Sequence, residues 1–265
     1  MNFRSSYLVK DQILFIAGEP EGHPEDRYLI MPVAKERIFL PAELSRFARD
    51  LGFTQYRFAP GDFLDNFKIS ELDDFFSIEE QSEFADYIYL TEDLMLLKGN
   101  KFSKKRNLIS QFSREYLSKG RVSVETIGRK QSEECIEFLD SWCAEQKCEV
   151  DQDSSLYCEK TAVMTTLKNI DYFESRGILI RVDGKVSAFG IGSRLNGTTG
   201  TLNFEKAFPA IKGLYQFLDN ECAKRLFSEF KYINKESDMN LPNLAESKRS
   251  YNPVMRVQSF VMKLK

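Results

Sequence analysis

Short runs of alternating apolar and polar residues dominate the second half of the chain, with helical spacing between them. Residues 121–127, RVSVETI, alternate as a strand with one buried face. In 132–147, Cys135, Ile136, Leu139, Trp142 and Cys143 recur at helical spacing, and 158–173 reads as a second amphipathic helix. Three strands are expected at 177–183, 185–195 and 199–207, with Asp-Gly at 183–184 and Asn-Gly at 196–197 as tight-hairpin signals between them. A helix at 214–227, a strand at 230–236, a short helix at 241–251 with Pro242 in its first turn, and a closing strand at 254–264 complete this half.

The first half is a weaker echo. Strands are expected at 12–18, 27–33, 54–60 and 86–97, and a helix at 41–52 with Gly52 as its stop. Phe102, Ile109, Phe112 and Tyr116 share one face of a helix over 102–118, preceded by the breakers Gly99 and Asn100 and with Ser103 as a candidate cap.

The resulting order in the second half, β-α-α-β-β-β-α-β-α-β, is similar to that of the GCN5-related N-acyltransferase fold. The expected fold class is α+β with mixed sheets, two such domains in tandem. Their expected bounds are 1–119, including a linking helix at 102–118, and 120–265.

Composition narrows the chemistry. With 42% apolar residues and 22 Phe, a 265-residue chain can build substantial cores. No apolar run approaches the roughly 20 residues of a membrane span, and the N-terminus lacks the order of a signal peptide. A cytoplasmic protein is expected, touching a membrane only peripherally. The single histidine, His23, lies in the polar loop GEPEGHPEDRY with no nucleophile motif near it, which argues against hydrolases built on an imidazole base. None of the five cysteines form a CxxC pair, so no metal site is expected and the cysteines read as small core residues.

One stretch stands out against a formal net charge of -3: KGNKFSKKRN, 98–107, holds Lys98, Lys101, Lys104, Lys105 and Arg106 without an acid. It follows 61–93, where eleven acids meet one base, Lys68, and which reads as solvated loop and helix. Cations at a helix start oppose its dipole, and an anion would use the free N–H groups there. Lys101, Lys104, Lys105 and Arg106, with Asn107, are therefore candidates to hold a phosphate or carboxylate in a cleft between the two halves. The competing reading is a solvated helix face.

The segment YLTEDLMLLKGNKFSKKRNLISQF resembles a signature of the phosphatidylglycerol lysyltransferase C-terminal domain family, in its stand-alone bacterial branch. LNFEKAFPAIKGLYQFLDNECAKRL, YINKESDMNLPNLAESKRSY and the following NPV agree in order, so the resemblance spans 86–265. It implies tandem GCN5-like folds and transfer of an aminoacyl group from aminoacyl-tRNA, whose acceptor end would be held locally. The characterised lipid-modifying relatives carry a membrane-embedded N-terminal segment that is not part of this sequence. The expected acceptor is a lipid, a peptide or a small molecule, and no cofactor is required.

Acyl-CoA is the alternative donor. Enzymes that use it cradle the pyrophosphate in a glycine-rich loop, whereas FEKAFPAIKG, 204–213, offers only Gly213, and Pro209 lacks a donor. A binding protein that keeps the fold without catalysis is the third reading. For the chemistry, strand alternation puts Asn203 and Glu205 on one face, with Glu205 a candidate base and Asn203 a candidate oxyanion donor. Tyr232, Asn234 and Glu236 alternate on the next strand, with Tyr232 a further catalytic candidate. Tyr251 is a candidate general acid. Lys206, Asn234, Glu236 and Lys248 are candidate donor-binding residues.

Overall fold

The computed structural model describes residues 3–146 and 155–265. In chain order the elements are β1 (Phe3–Lys10), β2 (Ile13–Pro20), β3 (Tyr28–Leu29), α1 (Pro41–Leu51), β4 (Gln55–Pro60), α2 (Gly61–Leu64), α3 (Ile69–Asp73) and β5 (Phe76–Glu80). There follow β6 (Asp86–Leu90), α4 (Thr91–Leu96), α5 (Ser103–Glu115), β7 (Val122–Thr126), α6 (Arg129–Gln146), α7 (Ser155–Lys168), β8 (Arg176–Val182), β9 (Lys185–Arg194) and β10 (Thr199–Ala207). The chain ends with α8 (Leu214–Leu226), β11 (Tyr232–Asn234), α9 (Pro242–Arg249), β12 (Met255–Val257) and β13 (Ser259–Leu264). The fold is α+β with two mixed sheets, as expected.

Contacts gather into two compact units. The first runs to Asp86 and adds Ser237–Pro242 and Arg256–Lys265; the second comprises Tyr87–Glu236 and Asn243–Met255. The division thus falls at Asp86 rather than at the expected 119/120, and α5, expected as a link, lies inside the second unit.

The first unit carries a six-stranded sheet ordered β1-β2-β3-β4-β13-β5. The N-terminal strand β1 was not foreseen. It pairs with β2 through a two-residue turn at Asp11 and Gln12, both with positive φ, where the usual Asn-Gly signal is missing. The expected strand at 27–33 shortens to β3, and β5 forms within the acidic stretch. Gly52 ends α1 in the left-handed conformation at φ 74°, as a C-terminal stop requires. The closing strand was expected at 254–264 in the C-terminal domain. Instead it breaks into β12 and β13, and β13 inserts between β4 and β5, where Met262 is fully buried in the core of the first unit.

The second unit carries the strands β6-β11-β10-β9-β8-β7, side by side in that order. Its elements from β7 to α9 follow the order read from the sequence, and β10 and β11 pair in parallel. Its two faces are both covered. Phe112, Phe217, Leu218 and Ile180 belong to one core, beneath α5 and α8; Leu139, Trp142, Phe189 and Ile191 belong to the other, beneath α6 and α7. Phe112 is fully buried, with its ring 4.9 Å from Phe217.

The expected strand at 86–97 is strand only as far as Leu90. Thr91, Glu92 and Asp93 then start α4, acids in a first turn being favourable to the dipole. The carbonyls at its far end are met by side chains. Asn220 Nδ2 donates to Leu94 and Met95 at 2.6 and 2.8 Å. Arg106 donates to the carbonyls of Leu97 and Gly99.

Candidate functional site

The parallel pair β10–β11 holds only from Thr199–Thr201 against Tyr232–Asn234. Beyond it β10 runs on to Ala207 without that neighbour, so the sheet opens between the two strands. Into this opening Glu205 of β10 and Lys235, just after β11, extend their side chains, with Nζ 3.2 Å from Oε2. Asp219 of α8 completes the group, its Oδ2 2.7 Å from the same ammonium. Glu205 keeps 19% of its side chain exposed against 4% for Asp219, so it is the more accessible of the two carboxylates.

Tyr251, which follows α9, lines the group. Its hydroxyl bonds to Asp219, and burial raises its pKa well above the ordinary value. Two ammoniums lie against its ring, Lys105 at 3.8 Å and Lys235 at 5.1 Å from the centroid. Lys105 Nζ donates to Ser250 Oγ at 2.7 Å. Lys248 donates to the carbonyls of Lys235 and Glu236 at 2.6 and 3.1 Å, and so fixes the chain that carries Lys235. Tyr89 of β6 donates to the Lys248 carbonyl at 2.8 Å.

Burial dominates the titration of these groups. It pushes Glu205 up to about 7, with Lys235 opposing and Asp219 reinforcing the rise. Burial also works against the charge on Lys235, but Asp219 and Glu205 together overcome it and hold its pKa above the ordinary value. Burial lowers that of Lys105. Near neutral pH Lys235 is therefore charged, while Glu205 is poised between its two forms.

The expected residues divide. Glu205, Tyr251, Lys105 and Lys248 come together. Tyr251 does so with its hydroxyl bonded to Asp219. Asn203 sits at a β-bulge between Leu202 and Phe204, which takes it out of alternation with Glu205; its Oδ1 accepts from Ser193 at 2.8 Å. Lys206 packs against the opposite core, 2.7 Å from Glu159 and 4.5 Å above the Trp142 ring. Tyr232 is half-buried with Lys231 over its ring. Asn234 Oδ1 accepts the backbone N–H of Glu236 at 2.7 Å, and Glu236 is exposed.

The basic stretch does not act as one cradle. Successive residues of a helix point about 100° apart, so Lys104, Lys105 and Arg106 face three directions. Lys101 lies before the helix and pairs with Asp93 at 2.7 Å. Arg106 meets the end of α4, where a cation is favourable. Lys104 and Asn107 are exposed, and Lys105 alone turns into the buried group. Ser103, expected as cap, is the first helical residue, and no side chain caps α5.

Asp219 and Lys235 were not foreseen. Asp219 had a signal: an acid in a helix whose residues from Phe217 to Ala223 are all buried. Lys235 stood on the strand face opposite the one read from Tyr232 and Asn234. Cys135, Cys143 and Cys222 are buried with pKa values of Cys135 and Cys222 raised by that burial, and behave as core residues; Cys148 and Cys158 lie outside the described side chains. His23 is exposed, 3.2 Å from Glu25.

Among the described residues no helix is long and apolar enough to cross a membrane. An uncharacterized protein of Mycoplasmoides gallisepticum is 23% identical over 216 residues, 76% of this chain and 67% of its own. A protein of unknown function from Bacteroides thetaiotaomicron superposes with a TM-score of 0.86 at 28% identity, over 99% of this chain and 86% of that one. The C-terminal domain of a candidate lysylphosphatidylglycerol synthetase from Agrobacterium fabrum superposes at 0.67 with 15% identity, over 98% of this chain and 84% of that one. The phosphatidylglycerol lysyltransferase C-terminal family matches residues 43–263, and the chain belongs to that family.

Proposed function

We propose that this protein is an aminoacyltransferase that moves an aminoacyl group from aminoacyl-tRNA to an amine or hydroxyl acceptor. The observation that carries this is the Glu205 carboxylate, held near pKa 7 in the opening between β10 and β11 beside a charged lysine. A base with that pKa accepts a proton at neutral pH and releases it again. Glu205 takes the proton of the acceptor N–H or O–H as it attacks the ester carbonyl. The bond to the ribose oxygen breaks, and the ribose hydroxyl recovers the proton. Lys235, itself held by Asp219, keeps the carboxylate in place.

Two features favour this donor over acyl-CoA. The turn before α8 has one glycine and one proline where a pyrophosphate loop needs several free N–H groups. That turn is also packed shut: Gly213 has φ 84°, and a Cβ on it would lie 2.2 Å from the carbonyl oxygen of Leu108 on α5. The family to which the chain belongs points the same way.

The test is transfer of radiolabelled aminoacyl groups from a panel of charged tRNAs to amine and hydroxyl acceptors. Wild type should transfer, and Glu205→Gln should be slower by at least about 100-fold, as loss of a general base gives. Full activity in that variant, or micromolar CoA binding by calorimetry together with acetyl transfer, would sink the proposal.

A further inference from the structure

Among the described residues three arginines are half-buried: Arg57, Arg121 and Arg181. Arg121 pairs with Asp183, and Arg181 with Glu125 and Glu134. Arg57 of β4 has neither an ion pair nor a hydrogen bond to any described residue, and its Nε is buried with nothing to donate to. Its guanidinium lies instead against two rings, with its carbon 5.2 Å from the centroid of Tyr28 and 5.6 Å from that of Phe58.

The first unit is strained to hold it there. Arg57 and Phe58 together stand opposite Val261 alone, a β-bulge between the pairs Tyr56–Met262 and Ala59–Phe260. Phe58 takes φ 59°, a left-handed conformation unfavourable for a bulky residue. Gln81, 4% exposed, is committed to the bulge: its Oε1 accepts the Phe58 N–H at 3.1 Å, and its own backbone N–H donates to the Ser259 carbonyl at 2.7 Å. Phe84 packs edge-on against Phe58, and Phe58 against Tyr28, with centroids 4.9 and 5.6 Å apart. Tyr28 lies on Gly18, its partner on β2, where any Cβ would collide with the ring. A bulge re-aims a side chain. Here it sets a guanidinium among rings and leaves its N–H fork unpaired. That fork matches two oxygens of an oxyanion, and the rings offer an apolar wall beside it.

We propose that Arg57 binds an oxyanion, a carboxylate or a phosphate, carried by a ligand whose apolar group rests on Phe58 and Phe84. The site lies wholly within the first unit and does not depend on the chemistry at Glu205.

The test needs no turnover. Melting of the full chain is followed while benzoate, phenyl phosphate, acetate or inorganic phosphate replaces chloride at constant pH and ionic strength. Benzoate or phenyl phosphate should give a saturable rise, about 3–6 °C at ten times its Kd, and the larger rise tells carboxylate from phosphate. Acetate and inorganic phosphate lack the apolar group and should bind at least about tenfold more weakly. Arg57→Met, which keeps a stem over the rings, should abolish the rise. Arg57→Lys, which keeps the charge without the fork, should raise the Kd at least about tenfold. Arg46→Met, at an exposed arginine over the Phe47 ring, should leave the rise unchanged. In chloride Arg57→Met should melt no lower than wild type, since no partner is lost. No rise in wild type, the same rise in Arg57→Met, or acetate binding as tightly as benzoate would overturn the proposal. Arg57 variants that melt lower in chloride or fail to fold would also overturn it and make Arg57 a structural cation.

Discussion

The ammonium of Lys235 lies 2.7 Å from the carboxylate of Asp219, tying the end of a three-residue strand to the middle of a buried helix. Both side chains are almost fully enclosed, so each is the other's main compensation. Asp219→Ala should destabilise the second unit by about 3–5 kcal/mol, because it strands a buried charge. Replacing Asp219 and Lys235 together by leucine and methionine should cost less than the two single changes added. Urea unfolding followed by the fluorescence of Trp142, the single tryptophan and a core residue of that unit, measures both. Strict additivity would show that the pair is not coupled.

Glu205 makes stability and activity depend on pH in opposite senses. Its pKa rises on folding from 4.5 to about 7, so the folded state holds a proton that the unfolded state has released. This contribution is full below about pH 4.5 and is lost as pH rises through 7. In Glu205→Gln that decline should flatten in urea midpoints taken across this range. Aminoacyl transfer needs the ionised base and should rise with pH, half-maximal near 7.

Arg106 should prove structural. Arg106→Ala removes two hydrogen bonds to the carbonyls beyond α4 and should cost about 1–2 kcal/mol. Exposed Lys104→Ala should stay within about 0.5 kcal/mol of wild type. Equal losses would return the stretch to a set of interchangeable surface charges.

Gly213→Ala should be among the harshest small changes. A left-handed non-glycine residue costs about 1–3 kcal/mol, and its Cβ would also press on the Leu108 carbonyl. A melting temperature within 2 °C of wild type would mean that α5 yields easily at this point.

Much of the second unit was legible because its signals are local. Asp183 and Gly184 both take positive φ, so Asp-Gly forms the predicted turn between β8 and β9. Asn196 works by a different route: its side chain accepts from the N–H groups of Thr198 and Thr199, shaping a longer loop than Asn-Gly alone suggests. The first unit was harder. Asp11 and Gln12 turn the chain as tightly as Asn-Gly would, yet carry no such signature.

The sequence by itself determined the alternation that makes Glu205 a strand residue, the helix that carries Lys105, the α+β class and the family motifs. All of these depend on neighbours within a few positions. Tertiary structure decided the rest. Residues 259–264 alternate equally well for either sheet, and only the core around Met262 selects one. Lys104, Lys105 and Arg106 are adjacent in the chain but turn apart on the helix, so a single cluster of charge in the sequence becomes three separate contacts. Glu205, Asp219 and Lys235 are far apart in the chain and meet only because β10 and β11 part. The pKa of Glu205 follows from that meeting, since desolvation is set by what is packed around a group and not by its neighbours along the chain.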